Sequence, residues 1–215
     1  MIHPAAELRF VSPEIGYGVF AREPIPKGTI LWVLCRLDII FSPADAAAFP
    51  PAYQPILERY AYTDAAGQVI LCWDHGRYLN HSCDPTMLGV GGAIEIAVRD
   101  VAAGDEITCE YATLNLSEPM QCRCGAPGCR GLIDSADLSR LCSDLDRRVE
   151  AALACARAVP QPLLAYVQDP GRFWAWADGR EPVPSSRSFL ANGGSTPGSS
   201  AALGGGAGGG AALLP

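Results

Sequence analysis

Cys122-Arg-Cys124-Gly-Ala-Pro-Gly-Cys129 is a C-x-C-x4-C loop with no room for a core of its own. Three thiols so close cannot all be buried as hydrophobes. As thiolates they need a cation, and zinc takes four soft ligands in a tetrahedron. The fourth must come from Cys35, Cys72, Cys83, Cys109, Cys142 or Cys155. Cys72 and Cys109 fall in expected strands, and Cys142 and Cys155 in an expected helix, which marks those four as core thiols. Cys83 sits on a loop and is the best choice. It belongs to a second reactive stretch, Tyr78-Leu-Asn80-His81-Ser-Cys83-Asp-Pro85, which crowds polar groups together before a proline that stops regular structure.

Short strands must carry these groups. Gly16-Tyr17-Gly18 reads as a tight turn where backbone approaches something closely, and Val19 and Phe20 continue as a strand. Thr29 to Leu34 is β-branched and apolar, hence a strand. Ser42-Pro43 is an N-cap followed by proline at the first helical position, and Pro50-Pro51 ends that helix. A second short helix covers Pro55 to Arg59. Tyr60 and Tyr62 alternate with Ala61 and Thr63, which predicts a strand with both tyrosines on one face. Val69 to Trp73 is the next strand. From Ala93 to Arg99, Ile94, Ile96 and Val98 share one face while Glu95 and Arg99 take the other. Ile107 to Tyr111 is a further strand. Leu138, Leu141, Leu145, Val149 and Leu153 recur at three and four, so Ser135 to Val159 reads as an amphipathic helix, capped by Asp134 or Ser135 and stopped by Pro160. Phe173, Trp174 and Trp176 pack back on the domain. From about Ser185 the chain is Gly/Ser/Ala-rich, which predicts a disordered tail over 185–215.

The 215 residues suggest one domain with appendages. Nine cysteines and no visible secretory signal argue for a reducing, intracellular compartment, the cytoplasm or, in a eukaryote, the nucleus. No apolar run reaches membrane-spanning length, so no membrane partner is expected. The net charge of −7 disfavours direct nucleic-acid binding and suits a basic substrate.

Taken together, four stretches resemble a SET-domain protein-lysine methyltransferase with a post-SET zinc segment. Gly16-Tyr-Gly-Val-Phe-Ala is similar to the family's opening G-x-G signature. Arg77-Tyr-Leu-Asn-His-Ser-Cys-Asp-Pro85 is similar to R-[FY]-x-N-H-S-C-x-P, and Gly104-Asp-Glu-Ile-Thr-Cys-Glu-Tyr111 to G-[DE]-E-[LI]-T-x-[DE]-Y. Cys122 to Gly131 is similar to the post-SET C-x-C-x4-C-x-G. The match covers about residues 8–132. It implies a mainly β fold with some α, the β-clip SET fold with a knot-like crossing that brings the Asn-His-Ser-Cys stretch beside the tyrosine strand. The implied organisation is a SET domain over 8–115, a post-SET zinc segment over 118–133, a C-terminal helical extension over 134–184 and the tail.

The resemblance implies S-adenosylmethionine and zinc as cofactors, and a lysine-containing protein, histone or not, as substrate. Gly16, Tyr17, Gly18, Asn80 and His81 would hold S-adenosylmethionine, with Arg77 beside the pocket. Tyr60 looks like the aromatic that also touches the cofactor, with Tyr62 as the alternative. Tyr62 and Cys109 would line the substrate channel, and Tyr111 is the implied catalytic tyrosine. Cys83, Cys122, Cys124 and Cys129 would hold zinc. Cys109 departs from the Phe or Tyr that many members carry there; a smaller side chain widens the channel. The same departure keeps open a second reading, a catalytically silent SET-like module that binds zinc and partners.

Overall fold

The computed structural model describes residues 1–191. Strands β1 (Ala6–Ser12) and β2 (Gly16–Ala21) form an antiparallel hairpin; β3 (Ile30–Val33) and β4 (Ile39–Phe41) follow. Two short helices, α1 (Pro43–Ala47) and α2 (Gln54–Tyr60), precede β5 (Ala61–Thr63) and β6 (Val69–Leu71). Strands β7 (Asn80–His81), β8 (Met87–Val90), β9 (Ile94–Ala97) and β10 (Glu106–Cys109) come next. The C-terminal part holds β11 (Met120–Gln121), β12 (Leu132–Ile133), α3 (Leu138–Leu153) and α4 (Pro170–Ala177).

The strands make three small sheets, β1-β2-β10-β7, β3-β9-β8 and β4-β6-β5, and the pair β11-β12. The one parallel pairing among them is β7 with β10, which sets Asn80 against Thr108 and His81 against Cys109. This is the crossing that the motif resemblance implies. Sheet β3-β9-β8 is buried on both faces. Ile30, Leu88, Val90, Ile94 and Ile96 pack toward Leu145, Val149 and Leu153 of α3 and Phe173 and Trp176 of α4. Leu31, Trp32, Met87 and Ala97 join a second core with Val19, Ala21, Ile107 and Cys109.

The predicted helix over 135–159 is broken in three. Asp134 accepts a hydrogen bond from Ala136 N and caps a single 3₁₀ turn, Ser135–Asp137, before α3 begins at Leu138. The α-helix stops at Leu153, and a 3₁₀ turn, Ala156–Ala158, carries the chain to Pro160. Gly28 lies against this end of α3, where an added Cβ would come within 2.9 Å of Ala152 O. Gln161 seals the junction: its side-chain amide donates to Gly28 O and Ala156 O and its oxygen accepts from Ile30 N.

Tyr60 is not a strand residue. The Ala61 N–H still bonds Leu57 O, so the helical turn extends through Tyr60, and pairing with β6 starts only at Ala61. Nor does the ordered chain end at Ser185. Ser185 caps a 3₁₀ turn, Ser186–Phe189, whose Phe189 ring packs on Gly89 so closely that a Cβ there would meet it at 2.7 Å. The rest of the predicted tail, 192–215, lies outside the described residues. Strands β4, β8, β11 and β12 have no counterpart in the sequence reading, because two to four residues are too few for a period to show.

Phe173 is fully buried between α3 and the sheet. Phe173→Ala is expected to cost about 3–5 kcal/mol by urea denaturation. Tyr166→Ala, at a residue 52% exposed, should change stability by less than about 0.5 kcal/mol.

Candidate active site and metal centre

Strand β10 delivers Tyr111. Thr86 and Thr108 lock its neighbourhood by reciprocal bonds, Thr108 N to Thr86 Oγ1 at 2.8 Å and Thr86 N to Thr108 Oγ1 at 3.2 Å, both buried. The strand then turns. The Glu110 carboxylate accepts from Ala112 N and opens a 3₁₀ turn in which Tyr111 is the first residue. The Tyr111 hydroxyl donates to Leu79 O at 2.7 Å across the parallel pair. Burial, with the charges of Cys109 and Glu106, pushes its pKa upward, so it stays a neutral phenol.

His81 joins this tyrosine to the cysteines. Its Nδ1 accepts from Tyr111 N at 3.2 Å. Its Nε2 therefore carries the proton and faces Cys83 Sγ at 3.3 Å as a donor. Burial holds its pKa down at about 4, against the pull of Glu110 and with the help of Arg130. A neutral ring with its Nε2 proton aimed at a sulfur is placed to support a thiolate.

The four expected cysteines converge. Cys83 Sγ lies 3.8 Å from Cys122 Sγ, and Cys129 Sγ lies 3.6 Å from Cys122 Sγ. Cys124 Sγ accepts from Cys83 N at 3.4 Å. With zinc–sulfur bonds of about 2.3 Å, a tetrahedral site has sulfur–sulfur edges of about 3.8 Å, so the thiols already stand at the spacing zinc requires. His81, Cys83, Cys122 and Cys124 lie within metal-site distance of one another, and Cys129 stands beside Cys122. Although burial opposes ionisation of Cys124, the N–H groups of Cys83 and Ala126 bring its pKa down to about 6. The remaining five cysteines are free thiols.

Arg130 is a residue that the sequence reading missed. Its guanidinium grips the buried Glu110 carboxylate through two bonds of 2.9 and 2.7 Å, and its backbone N–H donates to Cys83 Sγ at 3.3 Å. The cysteine loop is thereby tied to the residue before Tyr111. An arginine between Cys129 and Gly131, with a glutamate beside the tyrosine, is a weak signal that only the fold makes readable.

On the other side of Tyr111 lies a cavity of about 1150 Å³. Tyr17 comes to it from β2, Arg77 and Asn80 from the central stretch, and Cys109 and Tyr111 from the third motif. Tyr60 and Tyr62 both reach it, by different routes. Tyr60 packs edge-on to Tyr78 at 5.3 Å, and Tyr62 edge-on to Trp32 at 6.3 Å. Gly16, Gly18 and His81 are not in its wall. Gly18 shapes it indirectly: an added Cβ would sit 2.4 Å from Glu106 Oε1 and 2.9 Å from Asn80 Nδ2. That close approach lets Asn80 Nδ2 donate to Tyr17 O and Glu106 Oε1, at 3.1 and 2.7 Å. Arg77 leans over the Tyr78 ring, and its buried Nε has no partner. The volume exceeds that of a typical small-molecule site, about 300–1,000 Å³, so a nucleoside-sized cofactor and a second side chain fit together. The Arg77 nitrogen, unpaired among the described residues, suits a polar cofactor.

Glu95 also lines this cavity, though alternation in β9 had it facing outward. Both faces of the sheet are covered, so the outward face is an inner wall. The Glu95 Oε2 is sealed from solvent without a hydrogen-bond partner, and burial alone raises its pKa to about 7.

Residues 16–112 match a family described as the SET domain. Histone-lysine N-methyltransferase ash1 of Drosophila melanogaster is 29% identical over 144 residues, covering 61% of this chain and 6% of the fly protein. The H3 lysine-4 specific histone-lysine N-methyltransferase of Eremothecium gossypii is 38% identical over 68 residues, covering 27% of this chain and 7% of that protein. The chain thus spans a small fraction of the length of the curated relatives it matches. A solved structure of a candidate Plasmodium falciparum histone methyltransferase covers 51% of this chain and 95% of its own at 21% identity and TM-score 0.37, too loose a likeness to carry an argument.

Two measurements test this site. The purified chain should carry a single zinc ion by atomic absorption, and Cys122→Ala should lose it and melt earlier. Glu95 adds a pH signature. Its folded pKa of about 7 lies above the ordinary 4.5, so its penalty is absent well below pH 4.5, builds between pH 4.5 and 7 and is complete above 7. Glu95→Gln should therefore gain stability over wild type at pH 8 and not at pH 4.5, by on the order of 2–3 kcal/mol, read from denaturation curves at the two pH values.

Proposed function

Starting from the SET domain at residues 16–112, we propose that the chain transfers a methyl group from S-adenosylmethionine to the side-chain amine of lysine in a protein substrate. The observation that carries this reading is convergence. Tyr17, Arg77, Asn80, Cys109 and Tyr111 come from three separate motifs, and one cavity takes them all. S-adenosylmethionine would supply an electrophilic methyl on a positively charged sulfur. Tyr17, Asn80 and Arg77 are the residues of the cavity suited to hold it, with Gly16, Gly18 and His81 acting through the backbone they shape.

Lysine in water has a pKa of about 10.4, and only the neutral amine is a nucleophile. A buried wall of Tyr62, Trp32 and Cys109 disfavours the ammonium by desolvation. Tyr111 is a neutral phenol whose proton is committed to Leu79 O, which leaves its oxygen lone pairs free to accept an amine N–H. Its role is orientation rather than proton removal. His81 holds the Tyr111 backbone, and through Cys83 the proposed zinc fixes His81.

The names of the relatives make histones the first substrates to test, and the net charge of −7 suits a basic tail. The cysteines, none paired in a disulfide, favour an intracellular setting. No helix among the described residues is long and apolar enough to cross a membrane.

The test is transfer of labelled methyl to a panel of lysine-rich proteins, with the product located by mass spectrometry. Tyr111→Phe is expected to lower kcat by at least about 100-fold, the scale of one well-placed transition-state contact, and to leave calorimetric affinity for S-adenosylmethionine within about threefold. A folded, zinc-loaded chain that binds no cofactor would sink the reading. Cofactor binding without label on any lysine would favour the silent module.

A further inference from the structure

The methyl-transfer reading leaves Glu95 without a role. The residue sits in the middle of β9, opposite Trp32 of β3 and Gly89 of β8. A strand buried on both faces is a poor place for a carboxylate. Its Oε2 is shielded from solvent and finds no partner among the described residues. Burial alone sets its proton affinity, so no arginine of the chain offsets its charge. The residue as a whole is partly exposed and lines the cavity, where its charge acts on Tyr62 and Cys109.

The surroundings fit a cation. Trp32 and Tyr62 meet edge to face at 6.3 Å on this wall and offer aromatic surface to an alkyl stem and its charged head. The titratable groups facing Glu95 are Tyr62 of β5, Cys72 after β6 and Cys109 of β10. Burial, with the negative charge of Glu95 adding to it, keeps all three protonated. Glu95 is the one of these four groups able to carry charge near neutral pH; Asp38 and Asp64 also act on Tyr62, and Asp64, Arg59, Arg77 and Arg172 line the cavity beyond it. Cys109, smaller than an aromatic ring, leaves room on this wall and brings no competing hydroxyl.

We propose that Glu95 is a substrate-recognition residue: its carboxylate takes the cationic end of a primary or partly methylated alkylamine and holds it beside Cys109 and Tyr111. This rests on the reading of the cavity as a lysine channel. A buried carboxylate left unpaired is costly, and an arriving ammonium satisfies it. The ammonium also finds its proton acceptor there. An N–H bond breaks, a carboxyl O–H forms, and the amine is left neutral with its lone pair free. The residue thus selects cations at entry and takes up the proton that must leave before transfer. An acceptor that arrives neutral gains nothing from it.

The experiment uses the full zinc-loaded chain with S-adenosylhomocysteine and two probes that mimic a lysine side chain, n-butylammonium and 1-butanol, titrated by NMR. Wild type should bind butylammonium at least tenfold more tightly than butanol at pH 8. Glu95→Gln, which removes charge without removing an internal hydrogen bond, should lose that preference and keep its butanol affinity. A second readout needs no variant: in wild type the preference should fall about tenfold from pH 8 to pH 6, as the carboxyl takes up a proton while butylammonium stays charged. A preference that survives in Glu95→Gln, or that is unchanged between the two pH values, overturns the proposal. Failure of methyl transfer in wild type would strike the enzymatic reading and leave these cation measurements fully readable.

Discussion

Two residues of parallel pairing hold the site together. Strand β7 is only Asn80–His81, and against β10 it makes the one contact that sets the central stretch beside Tyr111. A pairing that short has little stability of its own. Side chains supply the rest. The Thr86–Thr108 bonds close one end, Tyr111 hydroxyl to Leu79 O spans the middle, and His81 Nδ1 takes the Tyr111 N–H. Asn80 and Tyr111, proposed to handle cofactor and amine, depend on that crossing for their position.

The cysteine cluster and the Glu110–Arg130 pair clamp the same crossing from outside. Arg130 reaches inward to the carboxylate next to Tyr111 and, through its own N–H, to Cys83 beside His81. Removing one partner of such a pair strands a charge in a nearly dry place. Cysteine cluster, ion pair and tyrosine turn are thus one mechanical unit. The electrostatics separate into two compartments. Around the thiols, burial pushes Cys83 and Cys122 up, while backbone N–H groups favour negative sulfur at Cys124. In the cavity, burial keeps Tyr62, Cys109 and Tyr111 protonated, and Glu95 stands as the exception.

Much of this was legible from residue types and spacing. The four motifs named the domain, the C-x-C-x4-C loop asked for a fourth thiolate, and choosing Cys83 because it lay on a loop gave the cysteine the structure brings to the others. Periodicity found α3 because Leu138, Leu145, Val149 and Leu153 all face one core. What periodicity could not see was burial of a second face. Glu95 alternates correctly with Ile94 and Ile96, yet the side read as outward is a cavity wall, because α3 and α4 cover one face of the sheet and the rest of the domain covers the other. Tyr60 failed for a local reason: alternation over four residues looks the same at the end of a helix as in a strand, and only the Ala61 N–H bond to Leu57 O distinguishes them. Arg130 was invisible because its partner lies twenty positions away on a different element.

Gln161 carries a consequence for the order of events in synthesis. Its side chain joins Ile30 N and Gly28 O, groups more than a hundred residues earlier in the chain. Sheet β3-β9-β8 therefore cannot close its helical face while the last third of the chain is still inside the ribosome. Until then its apolar strands, Ile30, Leu88, Ile94 and Ile96 among them, stand uncovered on that side. Contacts of such long range also slow the final step of folding. The nascent chain thus passes through a stage in which the four motifs have emerged but the scaffold beneath them has not, a window in which chaperone contact matters more than for a domain closed by local pairs.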